Sequence, residues 1–207
     1  MATKAFQDAL PFVLRWEGGF VDHPDDPGGA TNKGVTQAVY DRWRRGSGLA
    51  QRTVRELADN EMQAIYESGY WHPPRCDALA NPLDLVQFDT AVNMGTGRAA
   101  RFLQQAAGAG VDGQIGPRTL DCVKNCSHSE LVASYCTIRE QFYQALVQRN
   151  PRMQVFLKGW MNRLNALRAE AGVPGFPRTR DAQADFGDAA YIKRLPDLDE
   201  ESELSMP

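Results

Sequence analysis

The chain has 207 residues, 43% of them hydrophobic and 9% aromatic, with a net charge of −3, the composition of an ordinary globular protein large enough for one well-buried core. No run approaches the roughly 18–20 consecutive apolar residues that a membrane-spanning helix needs, so no membrane insertion is expected. Eight acidic residues against two basic ones lie from Asp181 onward, leaving the remainder mildly basic, a bias that suits a polyanionic partner but is too weak and scattered for nucleic acid.

The amino terminus lacks the charged start, continuous apolar stretch and small-residue cleavage site of a secretory signal. Phe6, Ala9, Leu10, Val13 and position 17 fall on one face at helical spacing, with Thr3 as the cap, and Gly18-Gly19 ends the run. Pro11 inside it is expected to kink the helix or shift its start. Residues 18–35 then form a long loop rich in Gly, Pro, Asp and Asn, part of which can pair as a short hairpin. A helix is expected from about Thr36 to Arg45, and Thr53-x-x-Glu56 resembles a capping box that opens a short turn. A third helix runs from about Asp59 to Tyr70, with Met62, Ile65, Tyr66 and Tyr70 facing inward, and His72-Pro73-Pro74 stops it.

Leu83–Met94 reads as a central buried helix through Leu85, Val86, Phe88 and Val92. Arg98–Ala107 is amphipathic, and a turn at Val111-Asp112-Gly113 precedes a helix opened by Gly116-Pro117. Two longer helices, about Ser129–Arg149 and Arg152–Ala171, complete a mainly α fold. Beyond Gly172 the sequence reads as a linker followed by an acidic, flexible tail. Cys122, Cys126, His128 and Cys136 can be drawn as a zinc site, but cysteines four apart on a helix are more often small buried hydrophobes. No cofactor, metal or disulfide framework is expected.

Glu17 is the residue that a purely structural pattern does not explain. It takes the next position of an apolar stripe, beside Trp16 and Phe20 in sequence, at the carboxyl end of a helix. Burial and the negative end of the helix dipole both favour a protonated carboxyl group, as a general acid requires. The plain alternative is a capping or salt-bridged glutamate, paired with Arg15 or Lys33. The loop that follows holds Asp22, Asp25 and Asp26, and long loops inside compact domains tend to be functional. A second carboxylate near Glu17 would serve glycoside hydrolysis. Calcium is the rival, although the ligand order does not match a twelve-residue calcium loop.

The stretch from Glu17-Gly18-Gly19-Phe20-Val21-Asp22-His23-Pro24 through Asp26-Pro27-Gly28-Gly29-Ala30-Thr31-Asn32 to Gly34-Val35-Thr36 resembles the signature of glycoside hydrolase family 108. Further matches are Ile65-Tyr66 through Tyr70-Trp71, Phe88-Asp89-x-Ala91-Val92-Asn93-x-Gly95, and Asp112-Gly113-x-Ile115-Gly116-Pro117-x-Thr119. The likeness covers about residues 5–172. It implies a lysozyme-like helical fold and an N-acetylmuramidase acting on peptidoglycan, with Glu17 as the catalytic acid. Many members have Asn-Asp-Pro where this chain has Asp22-His23-Pro24, whereas Asp26 is unaltered. Phage lysozymes are similar in placing Glu, Asp and Thr in this order at nearly this spacing, which implies Asp26 as the second carboxylate and Thr31 as the water-positioning hydroxyl. Asp22, Thr36, Asp89, Asn93, Tyr70 and Trp71 are candidate substrate contacts. Thr36 is also a natural helix cap, Asp89 and Asn93 can equally satisfy buried groups, and Tyr70 and Trp71 can equally belong to the core.

The resulting expectation is one lysozyme-like domain over 1–172, in which about 1–85 is the catalytic part and about 86–172 a peptidoglycan-binding helical part of the same fold. Residues 173–207 form the linker and tail. The protein is expected to be a monomer that reaches the cell wall from the bacterial cytoplasm through a phage pore or a secretion machine, its tail serving an export or phage partner. The alternative is a non-catalytic peptidoglycan-binding or secretion-associated interaction protein.

Overall fold

The computed structural model describes residues 3–22 and 29–175. The fold is mainly helical, with one two-stranded antiparallel sheet after the first helix. Helix α1 (Lys4–Leu14) is capped by Thr3, whose hydroxyl accepts from the Phe6 N–H, and it buries Phe6, Ala9, Leu10, Phe12 and Val13. Pro11 lies inside this helix on its exposed side and does not shift its start. The helix proper ends at Leu14, three residues before Glu17, and the chain continues through a tighter turn in which the Trp16 and Glu17 N–H groups donate to Val13 and Leu14 carbonyls at 3.0 and 3.3 Å.

Strands β1 (Thr31–Asn32) and β2 (Val35–Thr36) pair Thr31 with Thr36 and Asn32 with Val35. Lys33 and Gly34, both at positive φ (48° and 75°), make the two-residue turn between them. Such mirror-image turns match the twist of a hairpin and favour glycine. Helix α2 (Gln37–Gly46) follows directly, capped by the Thr36 hydroxyl. Helix α3 (Asp59–Tyr66) does not run on as an α-helix to Tyr70. It widens into one π turn over Glu67–Trp71.

Every residue of α4 (Leu83–Met94) is buried. It packs against α1, the π turn, α5 (Thr96–Ala106) and α7 (His128–Arg149), while α6 (Pro117–Asn125) lies between the latter two in sequence. A short 3₁₀ turn, Pro151–Met153, leads into α8 (Gln154–Glu170), which packs on α7. Phe6, Trp71 and Phe88 meet edge to face with ring centroids 5.4–5.6 Å apart, tying α1, the π turn and α4 together. Tyr143 and Trp160 stack at 5.1 Å between α7 and α8. All four cysteines are free thiols, with Cys76 and Cys136 buried. Among the described residues no helix is long and apolar enough to cross a membrane, and no cluster of potential metal ligands exists. The expected acidic tail lies outside the described residues, as does most of the linker.

Candidate active site

Glu17 stands just past the end of α1, its side chain only 9% exposed. Its partner is neither Arg15, whose guanidinium lies over the Phe12 ring, nor Lys33, which pairs with Asp59. It is Arg163 from α8, whose Nη1 donates to Glu17 Oε1 at 2.9 Å. The surroundings of Glu17 are therefore not purely apolar, as the hydrophobic stripe suggests, because an arginine arrives from the far end of the chain.

Arg163 faces a second carboxylate as well. Its Nε donates to Asp89 Oδ1 at 2.8 Å, and its Nη2 lies equally near that oxygen without hydrogen-bond geometry. Asp89 Oδ2 accepts from Arg139 Nη1 at 2.6 Å, and Asp89 is wholly buried. Burial alone would raise the Asp89 pKa, but the two guanidinium charges outweigh it and hold the carboxyl below its ordinary value. Burial likewise works against the charge on Arg163, and the carboxylates of Asp89 and Glu17 more than restore it, raising its pKa. Two arginines and two carboxyl groups thus alternate along a sheltered chain, in which each buried charge has a hydrogen-bonded partner, the condition under which buried ions are tolerated.

The other carboxyl oxygen of Glu17 faces the hairpin. A side chain at Gly34 would overlap the Tyr66 hydroxyl and stand 2.6 Å from Glu17 Oε2. Glycine is therefore needed twice at this position, for its positive φ and for this close approach. The Tyr66 hydroxyl donates to the Lys33 carbonyl at 2.8 Å, so α3 clamps the same turn.

Of the other sequence candidates, Thr31 and Thr36 are cross-strand neighbours in the hairpin next to this turn. The Thr36 hydroxyl is engaged by the Val39 N–H as the cap of α2, so its first task is structural. Asp22 directly follows Val21, which is bridged to Thr31, while Asp26 lies outside the described residues, with His23 and Asp25. Asp89 does not face a sugar; it is sealed between two arginines. Trp71 is 0% exposed and belongs to the core rather than to a saccharide platform. Asn93 is buried too, its Oδ1 accepting from Tyr143 and Arg139, yet it lies at the base of a groove of about 500 Å³ that Tyr70 also borders. The zinc drawing also fails, since His128 Nε2 is instead 3.1 Å from the Asn81 carbonyl oxygen.

Sequence reasoning missed Arg139, Arg163, Gly34 and Tyr66. The signal for the arginines was present. Arg139 sits on the buried stripe of Leu131, Val132, Tyr135, Cys136 and Tyr143, and Arg163 on that of Trp160, Leu164 and Leu167. A charge on an apolar stripe demands a buried counter-ion.

Residues 10–95 match the glycosyl hydrolase 108 family, and residues 98–165 match a domain described as a predicted peptidoglycan domain. The structure of SagA from Brucella abortus is 33% identical and superposes with a TM-score of 0.68, covering 86% of this chain and 99% of that one. The chain belongs to the glycosyl hydrolase 108 family. No curated protein matches it. This family 108 protein is a glycoside hydrolase that acts on peptidoglycan. Its Glu17–Arg163 contact joins the two matched segments, since the carboxylate comes from the first and the guanidinium from the second.

Proposed function

We propose that this family 108 hydrolase is an N-acetylmuramidase, cleaving the β-1,4 bond between N-acetylmuramic acid and N-acetylglucosamine with Glu17 as general acid. The observation that carries the reading is the unequal setting of the two Glu17 oxygens. Oε1 accepts from Arg163, and a guanidinium only donates. A proton carried by Glu17 therefore belongs on Oε2, the oxygen that lies on the Gly34 side. From there it passes to the glycosidic oxygen, which leaves as the hydroxyl of the N-acetylglucosamine, while positive charge develops on the anomeric carbon of the N-acetylmuramic acid whose bond to that oxygen breaks. Asp26, between Glu17 and the hairpin in sequence, is the proposed partner that stabilises this charge or activates water, and Thr31 is the proposed hydroxyl that positions the water. We further propose a monomer that reaches the wall by a phage pore or secretion machine, with the acidic tail as its export or phage partner site.

Digestion of purified peptidoglycan followed by mass spectrometry tests the proposal. Reducing muramic acid ends from the wild type, and loss of product by about 10²–10⁴-fold in Glu17→Gln with the melting temperature kept, are expected. Reducing glucosamine ends, or an undiminished Glu17→Gln, would overturn it.

A further inference from the structure

We propose that Asp89 is a positioning residue for Glu17: it holds Arg163 by one edge, so that the guanidinium gives the acid one hydrogen bond rather than two. The inference rests on the reading of Glu17 as general acid and adds a residue that substrate never touches.

A guanidinium can grip a carboxylate with two parallel bonds, through Nε with Nη2 or through Nη1 with Nη2. Here Asp89 Oδ1 stands 2.8 Å from both Nε and Nη2 of Arg163, which fixes the orientation of the guanidinium from that side. In this orientation Glu17 Oε1 accepts from Nη1 alone, at 2.9 Å. Nη2, although sealed from solvent, makes no hydrogen bond. It is a second donor next to the one that Glu17 uses, drawn back toward Asp89. Asp89 cannot follow a turn of Arg163, because its other oxygen accepts from Arg139 Nη1 at 2.6 Å. Arg139 is tied in turn to Thr90, Asn93 and Tyr143. All of these side chains are buried, so a ligand has no access to Asp89.

The number of donors on Glu17 matters because a guanidinium only donates. One bond occupies Oε1 and leaves Oε2 able to carry a proton. A two-pronged grip would occupy both oxygens and fix Glu17 as a carboxylate, which has no proton to give. The charge on Asp89 acts in the same direction, since a nearby like charge disfavours ionisation. Losing Asp89 would therefore drive Glu17 toward its ionised form by both routes. The other charged or titratable groups on neighbouring elements are engaged elsewhere or exposed. Tyr66 of α3 lies across Gly34 and donates to the Lys33 carbonyl, Lys33 pairs with Asp59, and Arg139 of α7 is directed at Asp89. Arg15 lies over Phe12, and Asp22 is exposed.

The test is the pH dependence of peptidoglycan hydrolysis by full-length Asp89→Asn, with the melting temperature followed at each pH. The alkaline limb of kcat is expected to move down by at least about one pH unit, a loss of about tenfold at a fixed pH on that limb. On the acidic side most of the wild-type kcat should return. Should this variant unfold, Asp89→Asn combined with Arg139→Gln removes one buried charge of each sign, still frees the Arg163 edge, and carries the same expected direction. A limb that stays in place in a folded variant would overturn the proposal, whether kcat is unchanged or lowered alike at every pH, and would leave the general acid reading intact. Undiminished activity in Glu17→Gln would remove that reading, and this proposal with it.

Discussion

Arg163 Nη1 and Glu17 Oε1 lie 2.9 Å apart although 146 residues separate them in sequence. The same guanidinium engages Asp89, so one side chain from the last helix fixes both the carboxylate at the end of α1 and the carboxylate at the centre of α4. Glu17 is thereby held in one rotamer without any help from its own helix, which has ended three residues earlier.

Replacing Arg163 should therefore damage stability and catalysis by separable amounts. Arg163→Met strands Asp89 with one guanidinium and frees Glu17; breaking a buried pair costs about 3–5 kcal/mol, which lowers the melting temperature by on the order of 10 °C in a domain of this size. Arg163→Lys keeps the charge, but a single ammonium lacks the fork that reaches two carboxylates at once. It should retain more of the melting temperature yet lose on the order of a hundredfold in kcat, the scale expected when a reacting group is misplaced by about 1 Å. Thermal unfolding and steady-state kinetics on both variants check this. A lysine variant with normal kcat would show that Glu17 needs no such anchor.

Gly34 offers a cleaner separation of backbone strain from site damage. Gly48 also has positive φ (69°), but a side chain there would meet nothing within 4 Å, whereas at Gly34 it collides with Tyr66 and Glu17. Gly48→Ala should cost only the left-handed penalty, about 1–2 kcal/mol, and leave activity unchanged. Gly34→Ala should cost more and reduce kcat at least tenfold at temperatures where it stays folded. Equal effects on activity from the two substitutions would mean that the close approach at Glu17 is immaterial.

Which parts of this arrangement the chain discloses in advance follows from the range of the interactions. Thr3 and Thr36 as caps, and α4 as a buried rod, are local patterns, and each was legible. The π turn was not. Helical phase from Met62, Ile65 and Tyr66 carries Tyr70 inward, but the wider turn inserts one residue, so the inward position passes to Trp71 and Tyr70 rotates toward the groove. Nor can spacing reveal that Arg139 and Arg163 converge on Asp89, because that meeting depends on how α7 and α8 dock. Asp89 and Asn93 share a face of α4 as their spacing suggests, yet the face turns out to meet arginines rather than open solvent.

The two family-matched segments should not behave as separate modules. A single hydrophobic core runs through α1, α4, α5, α7 and α8. Without the second segment, α4 would expose the residues that pack on α5 and α7, and Asp89 would lose both guanidinium partners. The full chain is expected to unfold in one cooperative transition by circular dichroism, and residues 1–97 alone to show no cooperative melt. Two resolved transitions in the full chain would refute this.

Acid should destabilise the protein through Asp89 and spare it through Asp84, although both carboxylates are buried on the same helix. The Asp89 pKa is lowered in the fold from its ordinary 3.8. Its contribution is therefore complete above that value and is lost as pH falls through the lower folded one. Asp84 has the opposite sign. Burial raises its pKa above 3.8, against the opposing hydrogen bonds from the Leu85 N–H and Asn81. Its protonated form suits the fold, so stability from this group is present below 3.8 and is lost as pH rises through its folded value. Urea unfolding between about pH 3 and 7 should show wild-type stability falling at the acidic end. Asp84→Asn mimics the protonated state and should stabilise the protein most at neutral pH, with little effect at pH 3. A stabilisation that grows as the solution is acidified would reverse the assigned sign and remove the basis for treating Asp84 as a burial-dominated carboxyl.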